Sequence, residues 1–349
     1  LQAVAHGSDS VMYIQGRTSR GASEKFHGAV VDHCGHEHTR VFREVSELGS
    51  TLKSLAEIIG TNVPAETAVF FDWENRWAVK DAKGPRNKGI KYEETVMQHY
   101  FPFWQLGVPV DVIGADDDFS KYKLLVAPMM YMVRRDVGER IERFVENGGT
   151  FVATYWSGIV DENDLCHLGG FPGPLRRTLG IWAEEIDGLH DHDVNGLIFR
   201  EANALGLQGE FDAHELCEVI HTEGAETLAV YRDDFYAGTP ALTVHSFGRG
   251  KAYYLATRAK EPFYGVFYAA LVRDLKLRRA IDAELPAGVT AQVRTDGVHD
   301  YVFVMNFSAG EQRVALDGRE YLDMETGRPV KGAVDLPLNG VAVLKRKHA

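Results

Sequence analysis

Residues 134–146, with Gly148-Gly149-Thr150-Phe151-Val152-Ala153-Thr154-Tyr155 after them, decide the fold class. In the first segment Val137, Ile141, Phe144 and Val145 lie on one side of an amphipathic helix. The paired glycines stop that helix. The run that follows is apolar and β-branched without alternation, which suits a strand buried on both faces. The same pattern repeats outward. Ala68-Val69-Phe70-Phe71, residues 108–113 and residues 122–127 read as strands, and residues 92–106 read as a helix interrupted at Pro102. Further strands fit at 227–231, 241–246 and 251–257, with a helix over 262–276. Strands alternating with helices predict an α/β domain with a doubly wound parallel sheet, over residues 63–280.

The flanks read differently. Residues 1–6 look like the end of a helix, closed by Gly7. Residues 10–15 read as a strand, and residues 16–37 as a long polar loop of the kind that is usually functional or disordered. Thr39 then opens a helix with Phe42, Val45, Leu48, Leu52, Leu55 and Ile59 at three- and four-residue spacing, ended by Gly60 and Pro64. One strand, one loop and one helix cannot bury a core alone, so residues 1–62 look like the tail of a larger domain. After residue 280, short strands are expected at 289–294, 301–307, 312–316, 320–323 and 340–345. The pairs Asp296-Gly297, Asp317-Gly318 and Asn339-Gly340 mark turns between them. Residues 281–349 therefore read as a small antiparallel β-sandwich domain.

The 349 residues carry a net charge of -12, which disfavours nucleic acid and anionic membranes as partners. A neutral, hydroxyl-rich ligand stays compatible. No apolar run approaches the roughly 20 residues of a membrane span. No signal peptide is visible, although Leu1 is not an initiator Met. Cys34, Cys166 and Cys217 are sparse and odd in number, which argues against a disulfide framework and for a reducing compartment.

Several constellations are candidates for chemistry. Glu24 and His27 lie three apart on the loop after the strand at 10–15, the edge where a (β/α) barrel holds its ligands. The carboxylate accepts from a sugar hydroxyl and the imidazole donates or accepts. A local ion pair with a neighbouring Arg explains the pair equally well. His33, Cys34, His36 and His38 suggest a metal, but the spacing fits no closed zinc pattern and a polar loop is the better reading. Asp32 with His33 lacks a Ser or Cys placed to complete a nucleophilic set. Asp72-Trp73-Glu74-Asn75-Arg76-Trp77 suits a subunit contact better than a ligand site. Asp116-Asp117-Asp118 reads as a solvated acidic loop.

Glutamine amidotransferase-like (flavodoxin-like) domains place a nucleophilic Cys on the turn after a strand such as 150–155. Here Tyr155, Trp156 and Ser157 occupy that zone, so the architecture is expected without the chemistry. Taken together, Leu1-Gln2-Ala3-Val4-Ala5-His6-Gly7, residues 19–33 and Phe71-Asp72-Trp73-Glu74-Asn75 resemble the C-terminal part of a glycoside hydrolase family 42 β-galactosidase, as do 123–128 and 144–155. The resemblance covers essentially the whole chain. It implies the end of a catalytic (β/α)8 barrel, an amidotransferase-like domain that makes a homotrimer, and a C-terminal β domain. It also implies a cytoplasmic, retaining enzyme acting on β-D-galactosides, with no cofactor needed. Such enzymes use two glutamates. Both would lie before this chain's first residue, so none of its residues is assigned a catalytic role, and a cysteine zinc site, where the family has one, would also lie there. Glu24 and His27 match positions that hold the galactose. One departure is Gly16, where many members carry an aromatic residue. Two other readings stand beside this one: a non-catalytic assembly module, and an amidotransferase-like hydrolase using Ser157 or Cys166.

Overall fold

The computed structural model describes residues 1–86 and 91–348. It divides into two compact units, Ala65–Arg278, and Leu1–Pro64 together with Arg279–Ala349. In the opening segment, α1 (Gln2–Ala5) is followed by Gly7 at φ +111°, the left-handed stop expected from the sequence. Residues 10–15 are not a strand. A strand needs a neighbour for its backbone groups, and among the described residues no strand lies beside this run; Gln15 O alone accepts a backbone bond, from Val30 N–H at 3.2 Å. α2 (Arg40–Ser54) forms as expected, and the Thr39 hydroxyl caps it by accepting the Phe42 N–H at 3.2 Å.

The unit Ala65–Arg278 contains, in order, β1 (Thr67–Phe70), α3 (Trp73–Asp81), α4 (Tyr92–Leu106), β2 (Val110–Ile113), β3 (Leu124–Ala127), α5 (Arg135–Glu146) and β4 (Thr150–Thr154). Then come α6 (Arg176–Leu179), β5 (Ile181–Gly188), β6 (Asn195–Phe199), β7 (Glu210–Thr222), β8 (Glu226–Tyr231), β9 (Pro240–Phe247), β10 (Gly250–Leu255), β11 (Thr257–Ala259) and α7 (Phe263–Asp274). The strands make one sheet in the order β11-β7-β6-β8-β9-β10-β4-β3-β1-β2, with β5 on β7. The pairs from β2 to β10 through β1, β3 and β4 are parallel. The rest are antiparallel, so the sheet is mixed where the sequence suggested a parallel one. Its parallel strands β1, β3 and β4 are buried along their whole length, as uninterrupted apolar runs require. α4 runs unbroken through Pro102 and ends at Gly107, which is left-handed.

In the last segment, β12 (Val289–Thr295), β13 (His299–Asn306), β14 (Gln312–Asp323), β15 (Pro329–Leu336) and β16 (Val341–Lys347) form one antiparallel sheet, ordered β12-β13-β16-β14-β15. Among the described residues this is a single sheet and not the expected sandwich. Side chains alternate faces along β13. Tyr301, Phe303 and Met305 pack with Val4, Ala5, Leu55 and Ile58 of the opening segment. Val302 and Val304 pack on the other face with Ala280 and Ile281. The opening segment therefore does for one face what a second sheet does in a sandwich. Arg294 on β12, fully buried, fastens it: the guanidinium donates to Val4 O at 3.0 Å, Ser8 O at 2.9 Å, Thr61 O at 2.8 Å and Asp9 at 2.6 Å.

Candidate functional site

The loop over residues 16–37 closes on itself. Arg17 bridges Val31, Thr18 N–H donates to Val31 O at 3.0 Å, and Val31 N–H donates to Gly16 O at 3.0 Å. The Ser19 hydroxyl donates to Gln15 Oε1 at 3.1 Å, and His33 Nε2 meets Lys25 O at 2.6 Å. At the crown, His27 N–H donates to Glu24 O at 3.0 Å, so a single turn carries both residues. Both are exposed, and among the described residues neither side chain has a hydrogen bond or ion pair. The local ion pair weighed above does not form. The turn thus offers one acceptor-rich and one donor–acceptor group with their hydrogen-bonding capacity unspent. Beside them Phe26 is 85% exposed, and in the preceding segment Met12 and Ile14 are above 90%. Such apolar exposure is what an interaction surface presents.

The turn after β4 has no such freedom. Trp156 sits at φ +61°, a conformation that costs a bulky residue about 1 kcal/mol or more. Its ring packs on Tyr131 with centroids 4.9 Å apart. Ser157 is fully buried, and its Oγ accepts the Met130 N–H at 3.1 Å. Doubly wound sheets bind ligands in the crevice beyond the carboxyl ends of their strands. Here Asn75 helps fill that crevice, donating to Met129 O at 3.0 Å and accepting Met132 N–H at 2.9 Å. Ser157 therefore has neither solvent access nor a base bonded to its hydroxyl. Cys166 is exposed and has no hydrogen-bonded base among the described residues. The amidotransferase-like hydrolase reading loses its nucleophile.

The remaining candidates are local structure. Asp32 accepts the Cys34 N–H at 2.9 Å, and the bonds from Cys34 hold its carboxyl below the usual range while raising the thiol. Cys34 Sγ lies 3.9 Å from His36 Nδ1, and among the described residues no group of three or more His, Cys, Asp or Glu is placed to hold a metal. Asp72 caps α3, accepting from Glu74 and Asn75 N–H at 3.0 Å. Trp73 and Trp77 stay more than half exposed. Asp116 pairs with Arg134 in an exposed loop. The buried titratable groups that the sequence reading passed over include His99 on α4 and Glu218 on β7. The only signal for Glu218 is a charge inside the apolar run Leu216-Cys217-Glu218-Val219-Ile220.

Comparison with known proteins places this geometry. The family model of the β-galactosidase trimerisation domain matches residues 65–278. The chain belongs to the glycoside hydrolase family 42 β-galactosidases. Within that family, the β-galactosidase model itself matches residues 1–55, and the model of the C-terminal domain matches 288–346. The chain is 56% identical over 347 residues to the β-galactosidase Pbg of Clostridium perfringens, covering 99% of this chain and 50% of that protein. It is equally similar to BglY of Alicyclobacillus acidocaldarius, 56% identical with 99% and 50% covered. Among solved structures, the β-galactosidase from Rahnella sp. R3 superposes with a TM-score of 0.95 at 56% identity, again over 99% of this chain and 50% of that one. The chain thus spans about half the length of the family 42 relatives it matches. No helix among the described residues is long and apolar enough to cross a membrane.

Proposed function

We propose that this chain is half of a retaining β-galactosidase that removes terminal non-reducing β-D-galactose from β-D-galactosides. The observation that carries the reading is the self-closed loop presenting Glu24 and His27 with unspent polar groups, in a segment that matches the β-galactosidase family model. In this reading residues 1–62 complete a catalytic (β/α)8 barrel, 63–280 form an amidotransferase-like homotrimer domain, and 281–349 form the C-terminal β domain. Glu24 accepts hydrogen bonds from galactose hydroxyls, and His27 donates or accepts one. Their role is positioning. They hold the ring while two glutamates outside these residues protonate the leaving oxygen and form the glycosyl-enzyme intermediate. Three free cysteines fit a cytoplasmic location. A pure assembly role is the second reading, favoured by the exposed Trp73 and Trp77.

The test is Glu24→Gln and His27→Asn in the longer gene product. Each is expected to lower kcat/KM about 10- to 100-fold on a chromogenic β-galactoside, the worth of a hydrogen bond to a charged or polar partner. Neither should move the melting temperature, because neither side chain holds anything in the fold. Wild-type kinetics in both would sink the assignment of these two residues.

A further inference from the structure

Glu218 lies on β7, 1% exposed, and among the described residues it forms no ion pair. Its Oε1 accepts the Trp156 N–H at 2.7 Å, and its Oε2 meets the Tyr254 hydroxyl at 2.5 Å. One side chain therefore joins the left-handed turn after β4 to the strand β10. We propose that Glu218 is a proton-operated clamp, neutral while it holds the Trp156 turn to Tyr254, whose ionisation loosens the unit Ala65–Arg278 as pH rises.

Enclosure without a cation argues for a neutral carboxyl, against the two donors, which favour the charged form. An ionised one would be a charge buried with two donors and no cation, which is costly. The groups around it are no help. Cys217 beside it on β7 is pushed up to about 11 by burial, and Tyr155 before the turn up to about 12. Tyr231 on β8 donates to Glu218 O at 3.1 Å and Ala256 O at 2.8 Å, and burial raises it, as it does Tyr254 and Tyr236. Arg258 on β11 is committed to Glu215 at 2.6 Å. Burial outweighs the two donors and pushes the Glu218 carboxyl up to about 7, from an ordinary 4.5.

A group with a raised folded value stabilises fully below its unfolded value and loses that contribution as pH rises through the folded one. The loss here runs from about 4.5 to about 7. His99 works in the opposite sense. Burial holds it neutral, down to about 3 from 6.5, so its contribution fails as pH falls. The proper readout is therefore the difference between wild type and a Glu218 variant.

In the full 349-residue chain, Glu218→Gln keeps an acceptor for Trp156 and cannot ionise. The melting temperature of wild type minus variant is expected to fall by roughly 5–10 °C between pH 4.5 and 7.5, then stay level. Parallel curves would overturn the proposal. Tyr254→Phe removes a donor that favours the charged form, so its fall should move to higher pH than that of wild type. This second variant decides the matter if Glu218→Gln does not fold, and a fall unmoved in it counts against the clamp.

Discussion

Arg294 shows what one residue can organise. Its guanidinium is enclosed, and its two Nη groups donate to three carbonyls and Asp9, all from the opening segment. Arg294→Ala takes the guanidinium donor from Ser8 O and Thr61 O, leaves Val4 O with only the Gly7 N–H, and leaves Asp9 without its cation, so about 3 kcal/mol of stability should go. A denaturant midpoint of the full chain checks this, and a change near zero would mean the segment is held by packing alone. His99 gives a second expectation. It is buried between α4 and α7, and its Nδ1 meets the Tyr268 hydroxyl. Its folded value lies below its unfolded one, so its contribution is complete above about 6.5 and disappears toward about 3. Stability should drop by about 1.4 kcal/mol per pH unit in that window. His99→Phe should flatten this acid limb of the melting curve relative to wild type. That Glu24 and His27 share one exposed turn was legible, because short-range spacing on a loop survives folding. Arg294, His99 and Glu218 were not, because burial of a charge depends on residues far away in sequence.

At the scale of elements, legibility followed burial. β1, β3 and β4 are apolar throughout because both faces are covered, and residues 68–71, 122–127 and 150–155 announce them. β5, Ile-Trp-Ala-Glu-Glu-Ile-Asp-Gly, and β7 mix exposed charges with buried positions, so neither strand shows a clean period. That is why β5 and β7 escaped the sequence reading, whereas β8 and β9 of the same antiparallel half were expected at 227–231 and 241–246. The strand expected at 10–15 failed for the opposite reason: its pattern suits a sheet, but no described strand lies beside it. β14 spans residues read as two strands, because Asp317-Gly318 sits in an irregular stretch of one strand and makes no hairpin. Among connections, the turn after β4 is the most constrained. Gly158 has φ +65°, and a Cβ there would lie 2.2 Å from Pro172 O. Gly158→Ala should destabilise Ala65–Arg278 by roughly 2 kcal/mol or more, through both the conformation and the clash. A melting temperature within a degree of wild type would show that the Pro172 segment yields freely.

For the whole molecule, the chain builds a domain with a filled crevice and an exposed aromatic surface, together with an exposed turn that carries Glu24 and His27. The first suits assembly and the second binding. Trp73 and Trp77 are 57% and 59% exposed. If the proposed homotrimer uses this surface, the double substitution Trp73→Ser, Trp77→Ser should shift it toward monomer in sedimentation, with the melting profile of Ala65–Arg278 otherwise kept. An unchanged trimer would place the contact elsewhere. The most direct measurement is turnover of a chromogenic β-galactoside by the longer gene product, beside this 349-residue chain alone. Turnover by the longer product only, with retention at the anomeric carbon, is the result the proposed function predicts. Turnover by this chain alone, or none by the longer product, would contradict that account.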